Sequence, residues 1–200
     1  SVGKMGKSGA LFDVAKLNDI AKTYFAGKDE KETFDFLKEW AEEFGSEAQK
    51  KYFADEEYAK KILCLLMGIG SKKRRKDFAC AVQAVASMAY FFDETFAPCD
   101  EYRFDKETVK SVIRSFSETY DIADDCSVWF DKVKAVAEKN GFCADMKAYK
   151  ANPENYKGSV SDVAEILRIA VTGHANTPDL WTIMQILGKE RVLKRLAAQA

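Results

Sequence analysis

Side chains able to meet a ligand are concentrated in two stretches. Near the end, Arg168-Ile-Ala-Val-Thr-Gly-His174 leads into Asn176-Thr-Pro-Asp-Leu-Trp181 and then Gly188-Lys-Glu-Arg-Val-Leu-Lys-Arg195. Thr177 is a good helix cap, Pro178 fits a first helical position, and Asp179 complements the dipole. Leu180 to Leu187 then forms an apolar stripe, Gly188 stops that helix, and Lys189 starts another with Val192, Leu193 and Leu196 inward. Arg168, Thr172, His174 and Thr177 are thereby presented around a short loop between two helices. Such groups could hydrogen-bond the Watson–Crick edge of an unstacked nucleobase, flanked by Pro178 and Leu180. Spacing alone favours a plainer arrangement, an ion pair between Arg168 and Glu165 three residues earlier.

The second stretch is Lys72-Lys-Arg-Arg-Lys76, placed between Gly68-Ile-Gly-Ser71 and a helix expected over Phe78–Phe92. Its five cations suit phosphate contact; a solvated loop or a localisation-like basic run is the bland alternative. Cations at a helix start oppose its dipole at a few tenths of a kcal/mol each, which hints at a use beyond folding. Elsewhere the residues point away from chemistry. Lys4-Met-Gly-Lys-Ser8 is close to the nucleotide-binding signature Lys-Met-Ser-Lys-Ser, but such a loop needs a strand-and-helix scaffold that this chain does not offer. The single His174 makes no zinc site by itself. The five cysteines (Cys64, Cys80, Cys99, Cys126, Cys143) form no Cys-x-x-Cys pair and are expected reduced and mostly buried. No catalytic or metal-binding residue is assigned.

Helices must position these groups. Phe34, Leu37, Ala41 and Phe44, with Trp40 beside them, repeat at helical spacing, as do Tyr58, Ile62, Leu65 and Leu66. The same holds for Phe78, Val82, Val85 and Ala89, for Val109, Val112, Ile113, Phe116 and Tyr120, and for Leu180, Ile183, Met184 and Leu187. No run alternates with period two, and Asn140-Gly141 reads as a helix stop. The expected fold is all-α, as two consecutive helical bundles over residues 1–97 and 98–200, divided at Thr95-Phe-Ala-Pro-Cys-Asp100. A loop is expected over Met146–Ser159, with Pro153 and Gly158. The composition, 47% hydrophobic and 32% charged, is that of an ordinary globular protein, and the net charge of −1 argues against indiscriminate coating of nucleic acid. The longest apolar run, Ile62 to Ile69, is too short for a bilayer, and the first residues carry no apolar leader core. A cytoplasmic location is expected.

The stretch Leu167-Arg-Ile-Ala-Val-Thr-Gly173, then Thr177-Pro-Asp-Leu180 and Leu187-Gly-Lys-Glu-Arg191, resembles the C-terminal anticodon-binding region of bacterial glutamyl-tRNA synthetases. Ser8-Gly-Ala-Leu-Phe-Asp13 with Lys16-Leu-Asn-Asp19 is similar to the family's exit from its catalytic domain. Arg74 to Phe78 with Tyr90-Phe-Phe92 is similar to its Arg-x-Lys-Thr-Leu helix start and aromatic end, and Trp129 lies where a tryptophan often opens a helix. The resemblance implies that Arg168, Thr177, Pro178 and Leu180 contact anticodon bases, and that Arg74 reads the third base. Lys72, Lys73, Arg75 and Lys76 would meet the RNA backbone. Arg75 stands next to Arg74 and Asp77 replaces the usual threonine, so which arginine faces the anticodon stays open. His174 occupies a variable position, and the Lys150–Lys157 loop is longer than expected.

On this resemblance the chain is a non-catalytic C-terminal part of a class I glutamate-tRNA ligase, comprising a helical linker and stem-contact domain and an anticodon-binding domain. The full-length enzyme would use ATP and Mg²⁺ to charge glutamate tRNA, with glutamine tRNA left open as a second substrate. The chain itself is expected to be a monomer that binds tRNA, not DNA or membrane. The alternative is an α-helical protein-interaction scaffold.

Overall fold

A computed structural model describes residues 13–200; the Lys4–Ser8 motif and the start of the Ser8–Asp13 stretch lie outside them. The described residues form eleven α-helices: α1 (Val14–Gly27), α2 (Glu30–Phe44), α3 (Glu47–Lys51), α4 (Glu56–Met67), α5 (Ala81–Met88), α6 (Lys106–Thr119), α7 (Cys126–Lys139), α8 (Met146–Ala151), α9 (Val160–Thr172), α10 (Leu180–Leu187) and α11 (Lys189–Ala197). Among these residues the one β-type pairing is an isolated parallel bridge between Cys143 and Ser159. The all-α expectation is met.

Local chemistry sets the helix starts. Asp13, Asp29, Ser46, Asp55, Asp105, Asp125, Asp145 and Asp179 each accept a hydrogen bond from a first-turn N–H. At α9 the Asp162 carboxylate reaches back to the Ser159 N–H (2.6 Å) and hydroxyl (2.9 Å). Asn140 ends α7, with Gly141 at φ 81°, and Gly188 separates α10 from α11.

The expected stripes on α6 and α10 are buried throughout, and Val192 and Leu196 of α11 join them. Four expectations are corrected. The helix predicted over Phe78–Phe92 begins only at Ala81 and is followed by a 3₁₀ turn, Ala89–Phe91. Its inner stripe is therefore Ala81, Ala84, Val85 and Met88, and Val82 faces solvent at 57% exposure. The basic run thus lies upstream of the helix start and escapes the dipole penalty; the Arg75 N–H instead donates to the α4 carbonyl of Met67 (2.9 Å). Phe44, in the last turn of α2, is 63% exposed against Trp40. The Met146–Ser159 segment holds α8 and a 3₁₀ turn over Pro153–Asn155, because Asp145 caps the N–H groups of Lys147 and Ala148. Of the cysteines only Cys143 is buried: Cys80 precedes α5 and Cys126 opens α7, both at solvent-facing helix starts.

Buried side chains on either side of residue 97 belong to one hydrophobic cluster. Two arginines of α11 cross it. Arg191 donates to the Tyr58 hydroxyl (2.7 Å) and the Phe91 carbonyl (2.9 Å). Arg195 donates to the carbonyls of Tyr90 and Val171 (2.7 Å each) and to Asp93 (3.0 Å). These contacts hold the Tyr90 turn against the C-terminal end of α9.

Candidate nucleic-acid interface

The loop between α9 and α10 is built from within. Gly173 ends α9 at φ 75°, where an added Cβ would lie 2.3 Å from the Ala97 carbonyl oxygen, so only glycine fits. Thr172 is buried; its hydroxyl donates to the Arg168 carbonyl (2.7 Å) and accepts from the His174 N–H (3.2 Å). From the previous turn, Arg168 Nη1 donates to the Thr177 carbonyl (3.0 Å), the Thr177 hydroxyl (2.9 Å) and the Pro178 carbonyl (3.0 Å). Among the described residues, its Nε and Nη2 make no hydrogen bond. Half-burial pulls the Arg168 pKa down, opposed by the Asp179 and Glu165 carboxylates, and the guanidinium stays charged.

Two readings of this loop change. Glu165 does not pair with Arg168; Arg103 takes it (Nε–Oε1 2.8 Å) together with Asp162 (2.6 Å). The α10 cap is Asp179, not Thr177, because the Thr177 hydroxyl is already held by Arg168. Asp179 accepts from the Thr182 N–H (2.8 Å) and hydroxyl (2.7 Å). Asp179→Ala is therefore expected to cost about 1 kcal/mol in urea unfolding, a typical cap value. An equal cost for Thr177→Val with none for Asp179→Ala would reverse the assignment.

One residue of the basic run, Arg75, stands on the facing wall. Arg74 turns away to the C-terminal end of α1, donating from Nε to the Ala26 carbonyl (3.0 Å) and from Nη2 to the Lys28 carbonyl. A cation there complements the helix dipole. Arg75 points the other way, paired with Asp77 (2.7 Å). Lys76 reaches Thr23 (3.2 Å), while Lys72 and Lys73 are exposed and, among the described residues, make no salt bridge. Between Arg75 and the His174–Pro178 loop lies a cleft of about 420 Å³, also bordered by Tyr90 and Asn176. Larger clefts exist, of 680 Å³ beside Glu30 and Thr182 and 620 Å³ beside Tyr102 and Gln199, but none of the sequence-assigned contacts borders them.

The structure thus gathers Arg75, Thr177 and Pro178 around one cleft, with Arg168 behind the loop. Leu180 is turned into the core at 2% exposure. Sequence reasoning missed Tyr90 and Asn176. Tyr90 sits beside two phenylalanines in an aromatic run, and the only signal separating it from them is its hydroxyl.

A family model described as an anticodon binding domain matches residues 48–200, taking in both walls of the cleft. The chain belongs to the anticodon-binding domain family. It is similar to the glutamate–tRNA ligase of Acetivibrio thermocellus, 43% identical over 199 residues that cover 98% of this chain and 36% of that protein. The ligase of Clostridium perfringens is 39% identical over 96% of this chain and 36% of its own length, and that of Sorangium cellulosum is 31% identical over 98% and 35%. The resemblance to glutamyl-tRNA synthetases seen in the sequence is borne out. The chain spans about 36% of the length of the curated ligases it matches. Among the described residues, no helix of this family member is long and apolar enough to cross a membrane.

Proposed function

We propose that the chain binds tRNA, recognising the anticodon of glutamate tRNA as the non-catalytic part of a glutamate–tRNA ligase. The observation that carries this reading is the loop held by Arg168 on Thr177 and Pro178, opposite Arg75 across a cleft. Arg168 presents further N–H donors, Thr177 a hydroxyl, and Pro178 a flat apolar surface, a set that reads base edges. Each base edge read correctly contributes about 1–3 kcal/mol of discrimination, by extension from DNA readout. Arg75, not Arg74, is the basic-run arginine we place toward the anticodon, since Arg74 holds the end of α1. Lys72, Lys73 and Lys76 take the RNA backbone, while Leu180 supports the loop from the core.

ATP and Mg²⁺ belong, in this proposal, to the part of the ligase beyond this chain; among the described residues no cluster of His, Cys, Asp or Glu is arranged to hold a metal ion. We place the protein in the cytoplasm as a monomer that binds RNA and not DNA. Residues 1–97 would serve as the linker and stem-contact part and 98–200 as the anticodon-binding part. Acceptance of glutamine tRNA would turn on how Arg75 is held.

Filter binding tests the proposal. Glutamate tRNA should bind more tightly than an unrelated tRNA, with affinity falling as salt rises. Equally weak binding of both at every salt concentration would leave the protein-scaffold reading instead. Replacing Lys72 and Lys73 together by alanine should lower the slope of log K against log salt by about 1 for each lysine; an unchanged slope would remove them from the RNA contact.

A further inference from the structure

Tyr90 carries a feature that the RNA-binding residues named so far do not explain. It lies in the 3₁₀ turn after α5, and its backbone carbonyl is fixed by Arg195. The residue is 5% exposed, yet it borders the cleft between Arg75 and the His174–Pro178 loop. Its hydroxyl is buried without a hydrogen-bond partner among the described residues. Such a group is costly to leave unsatisfied in a folded protein. The Tyr120 hydroxyl, the Trp129 indole N–H and the Arg195 Nε share that condition, but none of these residues borders this cleft. Desolvation raises the Tyr90 pKa, with Arg75 and Arg168 opposing it, so the group is a neutral phenol lying near two guanidinium groups.

We propose that Tyr90 is a specificity-determining residue of the cleft, its hydroxyl donating a hydrogen bond to a carbonyl oxygen of one inserted nucleobase. The surroundings select that chemistry. Arginine side chains are donors only, so Arg75 on the cleft wall, with the Arg168 charge behind the loop, makes the cleft hospitable to acceptor atoms and hostile to amino groups. Cytosine, uracil and guanine carry a ring carbonyl; adenine carries none. The His174 ring meets Tyr90 edge-on at 5.8 Å and lines the same space, giving a flat neighbour for a base. Arg75 is the movable wall, since its side chain is paired with the exposed Asp77. The inference rests on the RNA-binding reading and adds to it a residue outside the two motifs.

The test is Tyr90→Phe in the full chain, assayed with a glutamate tRNA transcript and with transcripts carrying adenine at each anticodon position in turn. Affinity for the unaltered transcript should fall on the order of tenfold, the scale of one hydrogen bond. At one position the losses from adenine and from Tyr90→Phe should fail to add, which identifies the base. The melting temperature should stay the same or rise, because phenylalanine removes an unsatisfied group. Binding equal to wild type, losses that add at every position, or a fall in melting temperature of several degrees would each overturn the proposal. Failure of the wild-type chain to bind the transcript would overturn the RNA-binding reading itself, and this inference with it.

Discussion

Arg195→Ala is expected to destabilise the protein by about 3 kcal/mol, on the scale of two orphaned buried acceptors. Arg195 is 4% exposed, and its Nη1 satisfies the carbonyls of Tyr90 and Val171 at 2.7 Å each. Alanine leaves both carbonyls buried without donors and removes the guanidinium that lies 3.8 Å above the Phe96 ring. The ion pair with Asp93 is the lesser part: that carboxylate is 50% exposed, and half-exposed pairs contribute under about 1 kcal/mol. Two controls separate the contributions. Asp93→Ala should cost about 0.5 kcal/mol, whereas Arg195→Met, which keeps much of the volume, should remain nearly as damaging as alanine. Equilibrium unfolding in urea measures all three. If methionine restored wild-type stability, volume and not hydrogen bonding would be what Arg195 supplies.

For RNA binding, Arg168→Ala should have the largest effect, a loss on the order of a hundredfold for glutamate tRNA, or about 2–3 kcal/mol. Two losses combine. The charged Nε and Nη2 donors left free by the loop disappear, and the loop loses the hydrogen bonds that hold the Thr177 and Pro178 carbonyls and the Thr177 hydroxyl. Lysine should not rescue, because one ammonium on a flexible stem cannot hold the loop and also present a planar fork of donors. The loss should be greatest for the cognate anticodon and small for unrelated tRNA. A uniform loss across anticodons would make Arg168 a phosphate contact. Thr177→Val separates holding from reading: if its loss adds independently to that of Arg168→Ala, the two residues do not act as one unit.

How far the sequence carried these conclusions depended on whether a signal was local. Val109, Val112, Ile113, Phe116 and Tyr120 announced α6 because a helix buried on one face must repeat at that spacing. The α10 start was placed two residues early, since Thr177 and Asp179 are both good caps and only the tertiary bond from Arg168 decides between them. Arg74 and Arg75 were indistinguishable for a similar reason. They are adjacent cations in an irregular segment, and nothing local shows that one turns to the end of α1 while the other turns to the cleft. Val82 was misread because the position of the Phe78 ring, buried before the helix begins, shifted the apparent stripe by one. Tyr90 was hidden by its neighbours: between Ala89 and Phe91 it reads as core, and most of its ring is core.

The hydrogen bonds from Arg168 to the loop are all made within the chain itself. The conformational entropy of ordering residues 174–178 is therefore lost when the chain folds, and association need not bear it again. An RNA arriving at such a surface meets a shape already set, so its rate of capture depends on charge and orientation and varies little between anticodons. Discrimination would then be expressed in time, with a matched anticodon held for long and a mismatched one released quickly.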